Sequence, residues 1–212
     1  MPTKLQLFNG AMVALGHERC ADTGEARAGP RELVECYDQV VGECLAEGHW
    51  NFAMETIKAT ADTGVTPEFG YPEVFAKPSD WIRTSGVSVD ENFAFPLTRY
   101  YDDANFWSAE SSPIYIRYVS NDTGLGLELN RWPRHFTRFV ELELAARVCL
   151  RVTQSESLLD KIEKIRDKAK AKALNHDAMN EPNPRFPPPG SWTTARGGTA
   201  SRERGSNGSL TG

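Results

Sequence analysis

The sequence predicts a mainly helical α+β protein: a helix bundle with an inserted small antiparallel β domain and an extended C-terminal arm. Three observations predict it. Apolar residues recur at helical spacing on both sides of the middle of the chain. Between them lie short β-branched and aromatic runs punctuated by Gly, Pro, Asn and Asp. Beyond residue 180 the composition changes, with five Pro, six Gly and four Ser between Glu181 and Gly212. Such a segment cannot bury enough apolar surface to offset its own ordering entropy. The expected division is an adaptable arm over 181–212 and a single core over 1–180, which is long enough to bury one hydrophobic interior.

Each element follows from local pattern. Leu5, Phe8, Met12 and Leu15 step by three or four, which predicts a short amphipathic helix over 3–15. A polar, Gly-containing loop from His17 to Gly29 follows. Pro30 sits where a first helical turn tolerates proline, and Leu33, Val34, Tyr37, Val40, Val41, Cys44 and Leu45 make the apolar face of a helix over 30–47, closed by Gly48. A β-rich insert is expected over about 49–129. Its first strand is read at His49–Ala59, with Trp50, Phe52, Met54 and Ile57 on one side. Val74-Phe75-Ala76 and Trp81-Ile82-Arg83 flank Pro78, and Pro96 demotes Asn92–Tyr101 to an edge or bent strand. Ile114–Val119, bounded by Pro113 and Asn121-Asp122, is the strongest strand. These short runs suggest one small antiparallel sheet.

Two long helices are expected to close the core. Phe136, Phe139, Val140, Leu142, Leu144, Val148 and Cys149 give a broadly apolar helix over 133–153. Ser155 is placed to cap the next, over 156–179, whose Leu158, Leu159, Ile162, Ile165, Ala169 and Ala173 form a narrow stripe with charge all round the remainder. That helix would extend about 36 Å at ~1.5 Å per residue.

Charge is divided unevenly. Residues 1–130 carry 9 basic and 20 acidic side chains, and residues 131–212 carry 15 and 9. An acidic body with a basic C-terminal part suits a subunit that stacks on complementary neighbours, the charges setting register more than affinity. The basic half admits two readings. One is a nucleic-acid site; the other, favoured because Asp160, Glu163, Asp167 and Asp177 interleave with the lysines and no aromatic stripe accompanies them, is a salt-bridged solvated helix. No apolar run reaches the length of a membrane span, and the first residues lack a signal-peptide layout, so synthesis in the cytosol and no membrane partner are expected. Cys20, Cys36, Cys44 and Cys149 form no CxxC and are expected to be reduced thiols.

The residues offer little chemistry. His17, His49, His135 and His176 lie far apart in sequence; His17 and Cys20 supply at most two metal ligands, and a loop pair is favoured. Gly124-Leu125-Gly126 lacks the rest of a dinucleotide fingerprint and reads as a turn. Glu141 and Glu143, two apart on a helix, point in different directions and cannot form a local acid–base pair. No catalytic, cofactor-binding or metal residue is therefore assigned, and no enzymatic activity is expected. The partner-binding residues are expected in the arm: Trp192 as an anchor, with Arg196, Pro187 and Pro188 around it. Burying a tryptophan removes roughly 150–250 Å² from water, about 4–6 kcal/mol at ~25 cal/mol per Å². That would order a handful of residues at roughly 1–2 kcal/mol each, so the arm is either loose, with Trp192 incidental, or laid along a partner.

The ordered motifs carry a resemblance. Trp50-Asn51-Phe52-Ala53 after Gly48, Tyr71, Pro78-Ser79-Asp80-Trp81-Ile82-Arg83, Ile114–Val119, Pro133–Phe139, and Ser191-Trp192 with Ala195-Arg196 follow one another in order. Together they resemble the tail tubular protein A family of short-tailed bacteriophages, the head-to-tail adaptors or gatekeepers. The resemblance spans most of residues 3–196. It implies a virion structural protein, made in the host cytoplasm. Family members form a ring, usually dodecameric, between the portal protein and a tail nozzle of the tail tubular protein B kind, around the channel through which double-stranded DNA leaves. It also implies a helix bundle with an inserted β domain. Two alternatives remain: a head-completion or connector protein of a long-tailed phage, and, in another class, a tail-associated cell-wall glycan hydrolase, which needs two carboxyls about 5–9.5 Å apart.

Overall fold

The computed structural model describes residues 2–65, 67 and 69–180. All of them belong to one compact unit, Met1–Asn180. The class is mixed α and β, with four α-helices and two small antiparallel sheets.

The first helix, α1 (Lys4–Ala14), starts where Thr3 accepts the Gln6 amide while the Gln6 side chain accepts the Thr3 amide, so two otherwise unpaired donors are satisfied reciprocally. Helix α2 (Ala28–Ala46) opens with Pro30 in its first turn, where its missing N–H costs nothing. Helix α3 (Arg134–Thr153) begins after Pro133 and ends at Gln154, whose left-handed backbone (φ 51°) breaks the run. Ser155 then caps α4 (Glu156–Asn180), its hydroxyl accepting the Leu158 amide. Helix α3 packs against α1, α2 and α4. Its breadth of apolar residues has that cause: Phe136, Phe139, Val140, Leu144, Val148 and Cys149 share one core with Leu7, Phe8, Leu33, Val41, Leu45 and Ile162.

Six strands lie between α2 and α3: β1 (Met54–Ala59), β2 (Glu73–Ala76), β3 (Trp81–Ser88), β4 (Tyr100–Asp102), β5 (Phe106–Ala109) and β6 (Ile114–Ser120). They form two three-stranded antiparallel sheets, β1-β6-β3 and β2-β5-β4, rather than the single sheet expected. The runs on either side of Pro78 thus belong to different sheets. Alternation identifies a strand but not its partner. Strand β6 is central in its sheet, and its pleat explains its strong signal. Ile114, Ile116 and Tyr118 enter a second core with Phe75, Val87, Trp107 and Ala109, while Val119, on the other face, enters the helical core.

Two further expectations are corrected. The strand read at His49–Ala59 begins only at Met54, because Asn51–Ala53 is a 3₁₀ turn closed by the Ala53 amide on the Trp50 carbonyl. Most of Asn92–Tyr101 is a loop organised by Asp90, whose carboxylate accepts the Asn92, Ala94 and Phe95 amides and the Ser88 hydroxyl. These four donors, the hydroxyl first, pull the Asp90 carboxyl down to about 2. Within that loop Pro96 bridges to Ser88, and the run's last two residues, Tyr100 and Tyr101, begin the edge strand β4. Among the described residues no helix is long and apolar enough to cross a membrane.

Candidate functional site

The motifs that are scattered in sequence meet at the joints of the scaffold. Trp50 is buried, donates its indole N–H to the Cys44 carbonyl at 2.9 Å, and packs edge-on to Phe136 at 4.8 Å. Phe52 and Trp132 contact the same Phe136 ring, at 4.8 and 4.9 Å. The Trp132 indole donates to the Gly126 carbonyl. At Gly126 a β-carbon would lie 2.0 Å from the Ser120 carbonyl oxygen, so the Gly124-Leu125-Gly126 turn needs glycine there for close backbone approach. Asn51 closes the joint from the other side. Its amide donates to both carboxylate oxygens of Asp177 at 3.2 and 3.1 Å, and its side-chain amide donates to the Asp177 carbonyl at 2.9 Å. Asp177, expected among solvated ion pairs, is buried and ties the end of α4 to the entry of β1.

The Pro78–Arg83 motif is equally structural. The Tyr118 hydroxyl lies 3.1 Å from Glu55 and 3.2 Å from Asp80, and Ser120 donates to Asp80. Burial, then these two carboxylates, push the Tyr118 phenol well above its ordinary value, so it stays a donor. Arg83 donates to the Ala46 carbonyl at 3.1 Å, at the end of α2 where carbonyls lack helical partners and cations are favoured. Lys77, before the motif, is almost fully covered. Its ammonium sits 3.5 Å from the Trp81 ring centroid and pairs with Asp102. Both Trp81 and Trp107 donate to the Thr84 hydroxyl.

Among the described residues no group of three or more His, Cys, Asp or Glu is arranged to hold a metal ion. Cys20 is buried with its amide on Asn9, and all four cysteines are free thiols. Glu141 pairs with Arg138 and lies against Gly10 of α1, whereas Glu143 turns toward α2 and α4 and faces Arg166 at 3.5 Å. The two carboxyls thus serve different helix contacts.

What remains exposed is a pair of charged faces flanking the α3–α4 contact. Glu156, Asp160, Glu163 and Asp167 recur at four-, three- and four-residue steps and make one stripe of α4. That stripe borders a small pocket lined by Glu43, Glu47, Glu143, Arg166 and Lys170, where Arg147 pairs with Glu43 and Lys170 with Glu47. Burial raises the Glu143 carboxyl against the lowering influence of Arg166 and Arg147. On the other flank, Lys161, Lys168 and Lys172 recur at seven and four. With Arg138 and His135, Lys168 and Lys172 rim a groove of about 320 Å³ whose floor is Leu142, Ile165 and Ala169. His135 meets His176 there, the two rings tilted with centroids 4.7 Å apart, and Ile165 is half exposed.

The salt-bridged helix expected here is met in part: Arg166 faces Glu143 and Lys170 pairs with Glu47. The ion pair within α4 is Arg166–Asp167, while Lys161, Lys168 and Lys172 have no carboxylate within 4 Å among the described residues. The i, i+3 and i, i+4 spacing held the signal for both stripes; the meeting of His135 with His176 required the helix pairing. Trp192, Arg196, Pro187 and Pro188 lie outside the described residues. The chain matches no protein-family model and no curated protein.

Proposed function

We propose that the chain is a virion structural protein of a short-tailed bacteriophage, a head-to-tail adaptor that forms a ring between portal and tail nozzle around the DNA channel. The observation that carries the proposal is the convergence of the resemblance motifs. Trp50-Asn51-Phe52 and Pro133–Phe139 meet around Phe136, while Arg83 caps α2 and Asp80 braces β6. Residues held as joints specify a shared scaffold, which is what an ordered set of weak motifs would preserve in a ring subunit. Helices before and after the β-rich segment, packed on α3, are in keeping with a bundle carrying an inserted β domain. The segregated faces of α4 suit a protein whose work is contact with neighbours. In this role the subunit is not an enzyme and needs no cofactor. Its partners are the portal, a tail-nozzle protein of the tail tubular B kind, further copies of itself (twelve in the usual ring of the family it resembles), and the DNA passing through.

The test is co-sedimentation of the purified chain with the portal protein of the same phage. Saturable binding with several copies per portal supports the adaptor. Absence of binding, together with glycan release by highly purified chain that a carboxylate substitution abolishes, would replace it by the hydrolase.

A further inference from the structure

We infer that the two flanks of α4 are the complementary halves of one head-to-tail contact between copies of this chain. The inference rests on the ring proposed above and names the surface that makes it. At about 100° per residue, the acidic stripe and the basic stripe lie roughly 130° apart on the outward side of the helix. From Glu156 to Asp167 and from Lys161 to Lys172 the spans are equal, each about 16 Å at ~1.5 Å rise per residue. Each is only partly satisfied within the subunit: Asp167 pairs with Arg166, and Arg138 beside the lysines pairs with Glu141. Glu156, Asp160 and Glu163 have no cation within 4 Å, and Lys161, Lys168 and Lys172 have no carboxylate, among the described residues.

Each stripe continues onto a different neighbour. The acidic one extends to Glu43 of α2 and to Glu47 just past its end, which pair with Arg147 and Lys170; the basic one extends to Arg138 and His135 of α3. The two faces therefore look away from each other, and one copy's acidic face is presented to a second copy's groove. Such a contact is heterologous and repeats around a ring when its rotation closes. The groove adds an apolar floor in Ile165 and Leu142, which a neighbour would cover.

Other occupants fit less well. The chain's own residues 181–212 carry four Arg against two Glu, so their charge opposes entry into a basic groove. Double-stranded DNA would reach past the groove to a chain of net charge −5, and the half-exposed Ile165 interrupts the row of lysines that phosphates would follow.

The test is a charge swap read by sedimentation velocity at low salt, with and without the portal, and by carboxyl–amine zero-length cross-linking followed by peptide mapping. Three variants are compared with the wild type: K168E/K172E, E163K/D167K, and the combination of all four. All lie on the accessible side of α4, and circular dichroism serves as the check that each keeps its helix content. Each reversal alone should weaken self-association on the order of tenfold or more. A mixture of the two, and the fourfold variant, should restore it. Cross-links should join Glu163 or Asp167 of one copy to Lys168 or Lys172 of another. Rings that form on the portal but ignore every reversal would overturn this contact while leaving the adaptor intact. Restored association that stops at a closed dimer would overturn the head-to-tail arrangement. Association lost with either reversal and never restored, or a 20-base-pair duplex binding in a Lys168- and Lys172-dependent way without self-association, would overturn it as well. Failure to bind the portal at all, with swap-dependent self-association retained, would sink the adaptor and keep the contact.

Discussion

Replacing Asp177 with Ala should destabilise the core by about 2–3 kcal/mol, although the residue sits in the last turn of α4. The wild-type carboxylate accepts the Asn51 amide at 3.1 and 3.2 Å from a buried position. A hydrogen bond to a charged group contributes roughly 1.5–3 kcal/mol, and the burial of the Asp177 carboxylate puts this one in the upper part of that range. Asn51 itself is exposed, so water can take over its amide and no further penalty is added. Asp177→Asn retains one acceptor oxygen but no charge and should lose about half as much. Urea unfolding monitored by tryptophan fluorescence would measure both, with an unchanged slope showing that the unfolding surface is the same. The second hydrogen bond, from the Asn51 side chain to the Asp177 backbone carbonyl, survives both substitutions and should keep the helix end in place. A loss below about 0.5 kcal/mol for Asp177→Ala, the range of ordinary surface changes, would refute the claim that α4 is pinned to the entry of β1 by this carboxylate.

Other outcomes follow from the same geometry. Gly126→Ala should destabilise by at least about 1–3 kcal/mol, since its methyl meets backbone rather than a movable side chain; a thermal midpoint equal to wild type would contradict this. Glu143→Gln should be neutral or stabilising by up to about 1 kcal/mol at pH 7, because an ion pair half out of water does not repay its desolvation. The sign follows from the raised Glu143 carboxyl: the folded state holds its proton more tightly, so this group's contribution falls as pH rises from below the ordinary carboxylate value through the raised one. The advantage of Gln should therefore vanish in acid, and an advantage that grew as pH fell would reverse the assignment. Trp192→Ala should leave the melting of the free subunit unchanged and weaken portal attachment by about 2–4 kcal/mol per subunit, as truncation of a hot-spot tryptophan does. Earlier melting of the free chain would show that Trp192 packs on its own core.

Local signals in the sequence were sufficient where the deciding contacts are local. Thr3 and Gln6 cap α1 within one turn, Ser155 caps α4, and β6 shows its pleat because Ile114, Ile116 and Tyr118 share one core. Where the deciding partner is distant, pattern misled. Trp50, Phe52 and Met54 alternate like a strand, yet the indole bond to Cys44 and the Asp177 carboxylate, 126 residues away from Asn51, impose a turn. The same distance hid Asp177, which reads as one more acid in a charged helix. The candidate faces were half legible. Net charge separated an acidic body from a basic end, but the lysines and acids of α4, read as interleaved, are sorted into two stripes only when their helical spacing is followed. What spacing could not supply was the other half of each face, Glu43 and Glu47 on one side and Arg138 and His135 on the other, because these depend on which helix lies beside α4.

The measurement that tests the central claim most directly is negative-stain imaging of the purified chain, alone and mixed with portal rings. The adaptor account predicts an added layer beneath the portal, with one copy of this chain for each portal subunit and an open central channel. Portal rings that look the same with and without the chain, at concentrations where both are folded, would contradict it.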